Sequence, residues 1–149
     1  PAALAKILAS LQRRGKKAVF TNGCFDILHL GHVKYLEKAK RLGDILVVGL
    51  NSDSSVRAIK GKSRPINNER ARAMVLASLY FVDYVTIFSD ETPERLIQTL
   101  KPDVLVKGAD WKSNDIVGAD FVRGRGGRVA RISFVKGYST TSAIKRMLG

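Results

Sequence analysis

Short apolar runs and amphipathic stretches alternate along the whole chain. Ala18-Val19-Phe20-Thr21 is a short apolar strand after the basic stretch Arg13 to Lys17. From about Gly31 to Leu42, the residues Val33, Leu36, Ala39 and Leu42 recur at one-turn spacing with charged residues between them, which predicts a helix. Gly43 fits its stop. Ile45 to Leu50 is apolar throughout, as a strand covered on both faces requires. Asn51 to Asn67 is polar and basic and reads mostly as loop. Beyond it the pattern predicts a helix over Glu69–Leu79, a strand over Tyr84–Phe88, and a helix opened by Pro93 and running to about Leu100. A strand at Val104–Val106, a weaker helix at Ile116–Arg123, a strand at Arg128–Phe134 and a final helix at Thr140–Leu148 follow.

Strand–helix alternation with connections of this length means parallel strands joined by right-handed crossovers. The expected fold is α/β: one doubly wound, five-stranded parallel sheet with helices on both faces, forming a single domain over residues 1–149. In such sheets ligands sit beyond the carboxyl ends of the strands, near the switch point. Chemistry is therefore sought in Asn22 to His32, Asn51 to Arg64, Ser89 to Thr92, Lys107 to Trp111 and Lys136 to Ser142.

Composition narrows the function. An apolar fraction of 45% in 149 residues supports a real core and excludes a disordered tail protein. Twenty-six Lys and Arg against 13 Asp and Glu leave a net charge of +13, which points to an anionic partner. One cysteine excludes an internal disulfide framework and, with two histidines, argues against structural zinc. No run approaches the roughly 20 apolar residues of a membrane span. Lys6 and Arg13-Arg14 interrupt the only stretch resembling a signal peptide. These features favour a soluble protein of the reducing cytoplasm. The start at Pro1 without Met fits a piece of a longer chain.

The densest chemistry lies in Thr21-Asn22-Gly23-Cys24-Phe25-Asp26-Ile27-Leu28-His29-Leu30-Gly31-His32. Two histidines three apart at a helix start point to one side. A helix N-terminus offers free N–H groups and the positive end of its dipole, which suit phosphate. Imidazoles there can donate to phosphate oxygens as charge builds in a transition state. An isolated pair of this kind is more often structural. Ser139, Thr140 and Thr141 open the last helix, where hydroxyls either cap it or bind outer phosphates. Lys60, Lys62, Arg64 and Arg72 either clamp phosphates or form solvated basic surface. Asp26 either orients an acceptor or metal, or serves as a cap or turn residue. Trp111 either stacks on a base or packs. Cys24 reads as a small packing residue.

The twelve-residue string resembles the G-x-F-D-x-x-H-x-G-H signature of the cytidylyltransferase-like nucleotidyltransferases. The heptose 1-phosphate adenylyltransferases among them, stand-alone or the C-terminal half of a bifunctional kinase–adenylyltransferase, resemble the chain most. The likeness covers nearly the whole sequence. It includes Val48-Gly49-Leu50-Asn51-Ser52-Asp53, Lys60-Gly61 through Asn67, Val82-Asp83-Tyr84-Val85, and Glu91-Thr92-Pro93. Lys101 to Asp110, Ile116-Val117-Gly118 and Gly137 to Thr141 complete it.

The resemblance implies a Rossmann-like nucleotidyltransferase fold and direct nucleotidyl transfer. A sugar-phosphate oxygen attacks the α-phosphorus of ATP and pyrophosphate leaves. The nucleophile is already an anion, so the site must align reactants and neutralise charge rather than supply a base. By the motif match, His29, His32 and Lys60 are the catalytic residues. Thr21, Asn22, Gly23, Cys24, Phe25, Gly31, Lys107, Gly108, Asp110, Ser139, Thr140 and Thr141 bind the nucleotide. Asp26, Asn51, Asp53, Arg64 and Arg72 meet acceptor or phosphate. Mg2+ accompanies the nucleotide with no direct protein ligand. A homodimer, with Leu76 to Val85 as its interface, and a heptose 7-phosphate kinase in the same pathway are the implied partners.

The chain departs from the pattern at Asn68 and Arg70, where the family has Pro and Glu. Trp111 also resembles the glycerol-3-phosphate cytidylyltransferases, and CTP with a polyol phosphate, or ATP with a flavin-type acceptor, is the alternative chemistry. A nucleic-acid module is the third reading. Its basic residues are scattered and not interleaved with aromatics. Arg123-Gly124-Arg125-Gly126-Gly127-Arg128 resembles an RGG segment but fits a glycine-rich turn between helix and strand better.

Overall fold

A computed structural model describes residues 1–112 and 115–149. Five parallel strands form one sheet: β1 (Ala18–Gly23), β2 (Ile45–Asn51), β3 (Tyr84–Phe88), β4 (Val104–Gly108) and β5 (Arg128–Ile132). Their order is β3-β2-β1-β4-β5. The helices among the described residues are α1 (Ala2–Arg13), α2 (Leu30–Lys40), α3 (Asp53–Lys60), α4 (Glu69–Ala77), α5 (Glu94–Leu100), α6 (Ala119–Gly124) and α7 (Thr140–Leu148).

Register explains the two-sided core. Phe20 lies opposite Val47 on one neighbour and Leu105 on the other. These three join residues of α1, α5 and α6, such as Leu8, Ile97 and Val122. One position earlier, Val19 lies opposite Leu46 and Val104. Those three face the other way, onto Leu36 of α2 and Leu76 of α4. The alternation of Cβ directions along a strand thus feeds both layers from one apolar run.

Acids fasten the amino ends of the strands. The Asp103 carboxylate accepts from the Ala18 N–H at 2.8 Å and from the Gln12 side chain at 2.9 Å, tying β1 and α1 to β4. Asp83 accepts from the Leu46 N–H at 2.7 Å and from the Lys40 ammonium at 2.6 Å. From β1 the chain crosses to β2 on one side, and later enters β4 on the other. The loops leaving β1 and β4 diverge and open a crevice at their carboxyl ends.

Three elements depart from the sequence pattern. Ala2–Arg13, to which no element is assigned, forms α1. Leu4, Ala5, Leu8 and Leu11 recur at helical spacing there and pack on the sheet. Within the expected loop Asn51–Asn67, Asp53–Lys60 forms α3, capped by Ser52, whose hydroxyl accepts from the Ser55 N–H at 3.2 Å. Only Ser55 and Val56 of this helix are buried, and its few apolar positions, Val56, Ala58 and Ile59, lie in a short, otherwise polar and basic stretch. The helix after β4 is also shorter than expected, Ala119–Gly124.

Candidate active site

The chain leaves β1 through Asn22 and Gly23 and doubles back at Phe25, which is held at a left-handed φ of 45°. Gly23 makes this turn feasible. A Cβ on it would stand 2.8 Å from Cε2 of the Phe25 ring. The Phe25 ring in turn meets the His32 ring edge-on, with centroids 5.1 Å apart.

His29 is the N-cap of α2, with extended backbone, and its N–H donates to Nδ1 of His32 at 3.3 Å. The two rings stack with centroids 3.8 Å apart. Nδ1 of His29 is buried, and this side chain turns back over the first turn of α2 toward the His32 backbone. Gly31 leaves room for this ring, since a Cβ there would lie 2.8 Å from His29 Cε1. Burial pushes both imidazoles down. His32 falls from 6.5 to about 4, with burial first and the neighbouring His29 second, against a hydrogen bond to the Ile27 backbone that works upward. Both rings are therefore neutral at pH 7.

Behind this turn lies a buried polar truss. Arg72 is 2% exposed. Its guanidinium donates to the carbonyls of Cys24 at 2.7 Å, Asn51 at 2.8 Å and Asn67 at 2.9 Å, and to the Asp53 carboxylate at 2.9 Å. Asp26 completes the truss. Its carboxylate accepts from Arg64 Nε at 2.8 Å and from the N–H groups of Ile66 and Asn67. Burial works to raise the Asp26 pKa, but the two amides and the Arg64 guanidinium outweigh it and hold the carboxyl below its ordinary value.

These contacts correct two expectations and qualify a third. Arg72 and Asp53 grip the loops after β1 and β2 from beneath and do not line the crevice. Asp26 lines the bowl, with its carboxylate anchored to Arg64 and to the N–H groups of the segment after α3. Thr21 is also corrected. It is fully buried, and its hydroxyl pairs with the Tyr35 hydroxyl at 2.8 Å.

Most of the other expected residues converge on a bowl of about 470 Å³ at the switch point, while His29 and Gly31 stand behind His32 and do not line it. Asn22, Gly23, Cys24, Phe25 and His32 form one wall, Asn51, Lys60 and Arg64 a second, and Ser139, Thr140 and Thr141 a third. Asn51 is held by its amide donating to Ser55 at 2.9 Å. Ser139 caps α7, accepting from the Ser142 N–H at 3.0 Å, so capping and site lining coexist there. Lys107 reaches in from the end of β4, with its ammonium 3.4 Å from Asn22 Oδ1 and 5.4 Å from the Trp111 ring centroid. Burial lowers its pKa, against Cys24 and Asp110, which raise it. Burial likewise raises the Cys24 thiol above its usual value, against Lys60, Arg72 and Arg64, so the thiol stays protonated and is no nucleophile.

A smaller slot of about 160 Å³ opens beside the bowl between Gly23, Phe25, Tyr35, Gly108, Asp110 and Phe134. Residues singled out by no expected role also line the site: Ile59, Glu91 and Pro93 on the bowl, and Tyr35 and Phe134 on the slot. Glu91 sits in a segment that the strand-end rule marks. Tyr35 and Phe134, whose rings stack 5.1 Å apart, carry no sequence signal beyond apolarity.

A family model described as cytidylyltransferase-like matches residues 20–146, from the core of β1 to the last turn of α7. The chain belongs to the cytidylyltransferase-like family. It is 57% identical over 145 residues to the Bifunctional protein HldE of Syntrophotalea carbinolica, covering 97% of this chain and 30% of that one. The HldE of Geobacter metallireducens is 58% identical over 145 residues, and that of Campylobacter jejuni 57% over 142. The chain thus spans about 30% of the length of these curated relatives. Among solved structures, a lipopolysaccharide core biosynthesis protein from Thermoplasma volcanium is similar, with a TM-score of 0.69 and 33% identity over 82% of this chain and 100% of that one.

The neutral histidines give this cytidylyltransferase-like site a pH signature. The unfolded chain takes up a proton at His32 near pH 6.5, which the folded protein refuses until about 4. The unfolded state then binds more protons, so stability falls as pH drops through that window. Urea melts across the same window should show this loss, reduced in His32→Asn. An identical pH dependence in both proteins would show that His32 is not held neutral.

Proposed function

We propose that this chain is an adenylyltransferase that joins ATP and D-glycero-β-D-manno-heptose 1-phosphate to give ADP-heptose and pyrophosphate. The observation that carries the reading is His32, stacked on His29 at the start of α2 and lining a bowl that also presents Lys60 and Arg64. Such a site binds and aligns phosphates. It holds no activated nucleophile, because the Cys24 thiol is protonated, and an attacking sugar phosphate needs none. The heptose acceptor is supported by the order and spacing of the motifs, and by relatives whose names carry HldE and lipopolysaccharide core biosynthesis.

Roles follow from position. His32 and His29 stabilise the charge that develops on the α-phosphoryl oxygens. Lys60 and Arg64 neutralise the crowded phosphates, and Thr140 and Thr141 with the free N–H groups of α7 hold the outer ones. Asn22 to Phe25 and the Lys107–Asp110 loop border the nucleoside. Asn51 stands between these walls. Among the described residues no group of three His, Cys, Asp or Glu could hold a metal ion. With Asp26 engaged by amides and Arg64, the donor set fits a magnesium ion carried on the triphosphate itself. Such an ion would screen the leaving pyrophosphate.

The reading extends to partners. A kinase that phosphorylates a heptose 7-phosphate at the anomeric hydroxyl, followed by a phosphatase that hydrolyses the 7-phosphate, would supply the acceptor. The exposed apolar side chains of Met74, Val75 and Tyr80 fit a homodimer contact beside β3. No helix among the described residues is long and apolar enough to cross a membrane, and a reaction drawing on ATP belongs in the cytoplasm.

The test is pyrophosphate release with magnesium, pairing ATP or CTP with heptose 1-phosphate, glycerol 3-phosphate and flavin mononucleotide. Turnover is expected with ATP and heptose 1-phosphate. Preference for another pair refutes the substrate assignment.

A further inference from the structure

The stretch Arg123 to Arg128 ends α6, turns and opens β5, and it carries charge that neither the fold nor the bowl uses. Its glycines have a conformational reason. Gly126 sits at a φ of 82°, and a Cβ on Gly127 would stand 2.8 Å from the Asp103 carbonyl oxygen. Arg125 and Arg128 have no such reason. The chain reverses there through backbone bonds, from the Gly127 N–H to the Val122 carbonyl and from the Arg128 N–H to the Asp103 carbonyl, both at 2.8 Å. Any side chain at positions 125 and 128 would permit them.

The turn lies at the amino ends of the strands, opposite the bowl. Val104 pairs with Arg128 where β4 and β5 begin, and the start of β1 lies beside β4. A cavity of about 190 Å³ opens here. Lys17, Arg125 and Arg128 bring three cationic side chains to its wall, beside the backbone of Gly126 and Gly127. Leu42, Pro102 and Val104 make the apolar part of the lining.

The three cations have no ion-pair partner among the described residues. Arg125 stands 5.7 Å over the Phe121 ring, a contact that steadies its guanidinium without neutralising it. One acid, Asp103, shares the wall, but its carboxylate is drawn to the Ala18 N–H and the Gln12 side chain. Asp44 nearby is likewise turned to the Lys17 N–H, at 2.8 Å. A basic residue after a helix complements the helix dipole, but that effect asks for one charge and no cavity. Here three like charges converge on one hollow, and their mutual repulsion is relieved only by an anion between them.

We propose that this cavity is a second anion site, which takes a phosphate or pyrophosphate group. Two guanidinium forks and an ammonium suit the several oxygens of such a group, which a monatomic anion lacks. A free phosphate compound and a lipid phosphate share this chemistry, and the test separates them. The site lies at the far end of the sheet from the reaction and does not depend on the adenylyltransferase reading.

The test is a titration of the isotope-labelled protein with inorganic pyrophosphate at constant ionic strength, read at backbone amides. Gly126 and Gly127 report the cavity, while Gly23 and Gly108 report the bowl and its slot. Saturable shifts at Gly126 and Gly127 are expected. Arg125→Gln and Arg128→Gln, both at exposed positions, should each weaken that binding about tenfold, the usual worth of a hydrogen bond between charged groups. Shifts at Gly23 and Gly108, pyrophosphate release and the melting temperature should stay as in the wild type. A second arm measures co-sedimentation with phosphatidylcholine vesicles, with and without phosphatidic acid. Retention only with phosphatidic acid, lost in both variants and without saturation by free pyrophosphate, assigns the site to a lipid phosphate. Saturation by free pyrophosphate without retention assigns it to a soluble compound. Binding in neither arm overturns the proposal, as does equal binding by wild type and both variants. Shifts reproduced by added sodium chloride overturn it too, because they mark a diffuse field rather than a site. The amide readout needs no turnover, so failure of the functional reading leaves this test intact.

Discussion

His32→Ala lowers kcat for pyrophosphate release by about 10²–10³-fold, the range seen when one preorganised donor to a developing oxyanion is removed. His32 lines the bowl directly, and its ring is fixed by the His29 N–H, the His29 ring and the Phe25 edge. A donor held this firmly needs no reorganisation as negative charge gathers on the α-phosphoryl oxygens. Its low proton affinity in the free protein has the same origin as its catalytic value, a partly dry setting at a helix start. Bound phosphate reverses the balance and favours the protonated ring. The loss should fall on kcat more than on the KM for either substrate, because the interaction strengthens only in the transition state. A variant that keeps kcat and loses only ATP affinity would reduce His32 to a binding residue. The melting temperature serves as the control for folding.

Arg72→Met removes a larger share of the stability than any change in the bowl itself. The side chain bridges the loop after β1, the loop after β2 and the entry to α4 through four acceptors. Methionine fills much of the volume but leaves the Cys24, Asn51 and Asn67 carbonyls and the Asp53 carboxylate without their donor. Breaking a buried pair in this way costs about 3–5 kcal/mol. Urea unfolding should show a loss of that order. Arg72→Lys should recover only part of it, since one ammonium cannot reproduce the planar fork. A loss below about 1 kcal/mol would mean that water replaces the guanidinium freely. Activity falls with stability here, and a kcat defect in a well-folded variant would restore a direct role in the reaction.

The strand pattern was legible because a sheet covered on both faces writes continuous apolar runs such as Ile45–Leu50. The switch-point rule then located the segments that build the bowl, Glu91 among them. What the residues could not disclose was which polar side chains turn inward. Arg64 and Arg72 lie eight positions apart in similar basic surroundings. One lines the bowl, and the other vanishes beneath it because three carbonyls happen to converge there. That convergence depends on three loops distant in sequence. α1 is hard to read because basic residues interrupt its apolar spacing, and α3 because its few apolar positions lie in a short polar, basic stretch opened by the Ser52 cap.

The pairing of acids with particular N–H groups and guanidinia has an effect far from any of them. Asp26, Asp53, Asp83 and Asp103 are drawn into internal links, and the molecule keeps a net charge of +13. The field outside is therefore dominated by cations, and it acts on a polyanion before contact. Both proposed substrates carry phosphate, so their encounter with the crevice is steered rather than random, and its rate drops steeply as salt shortens the reach of the field.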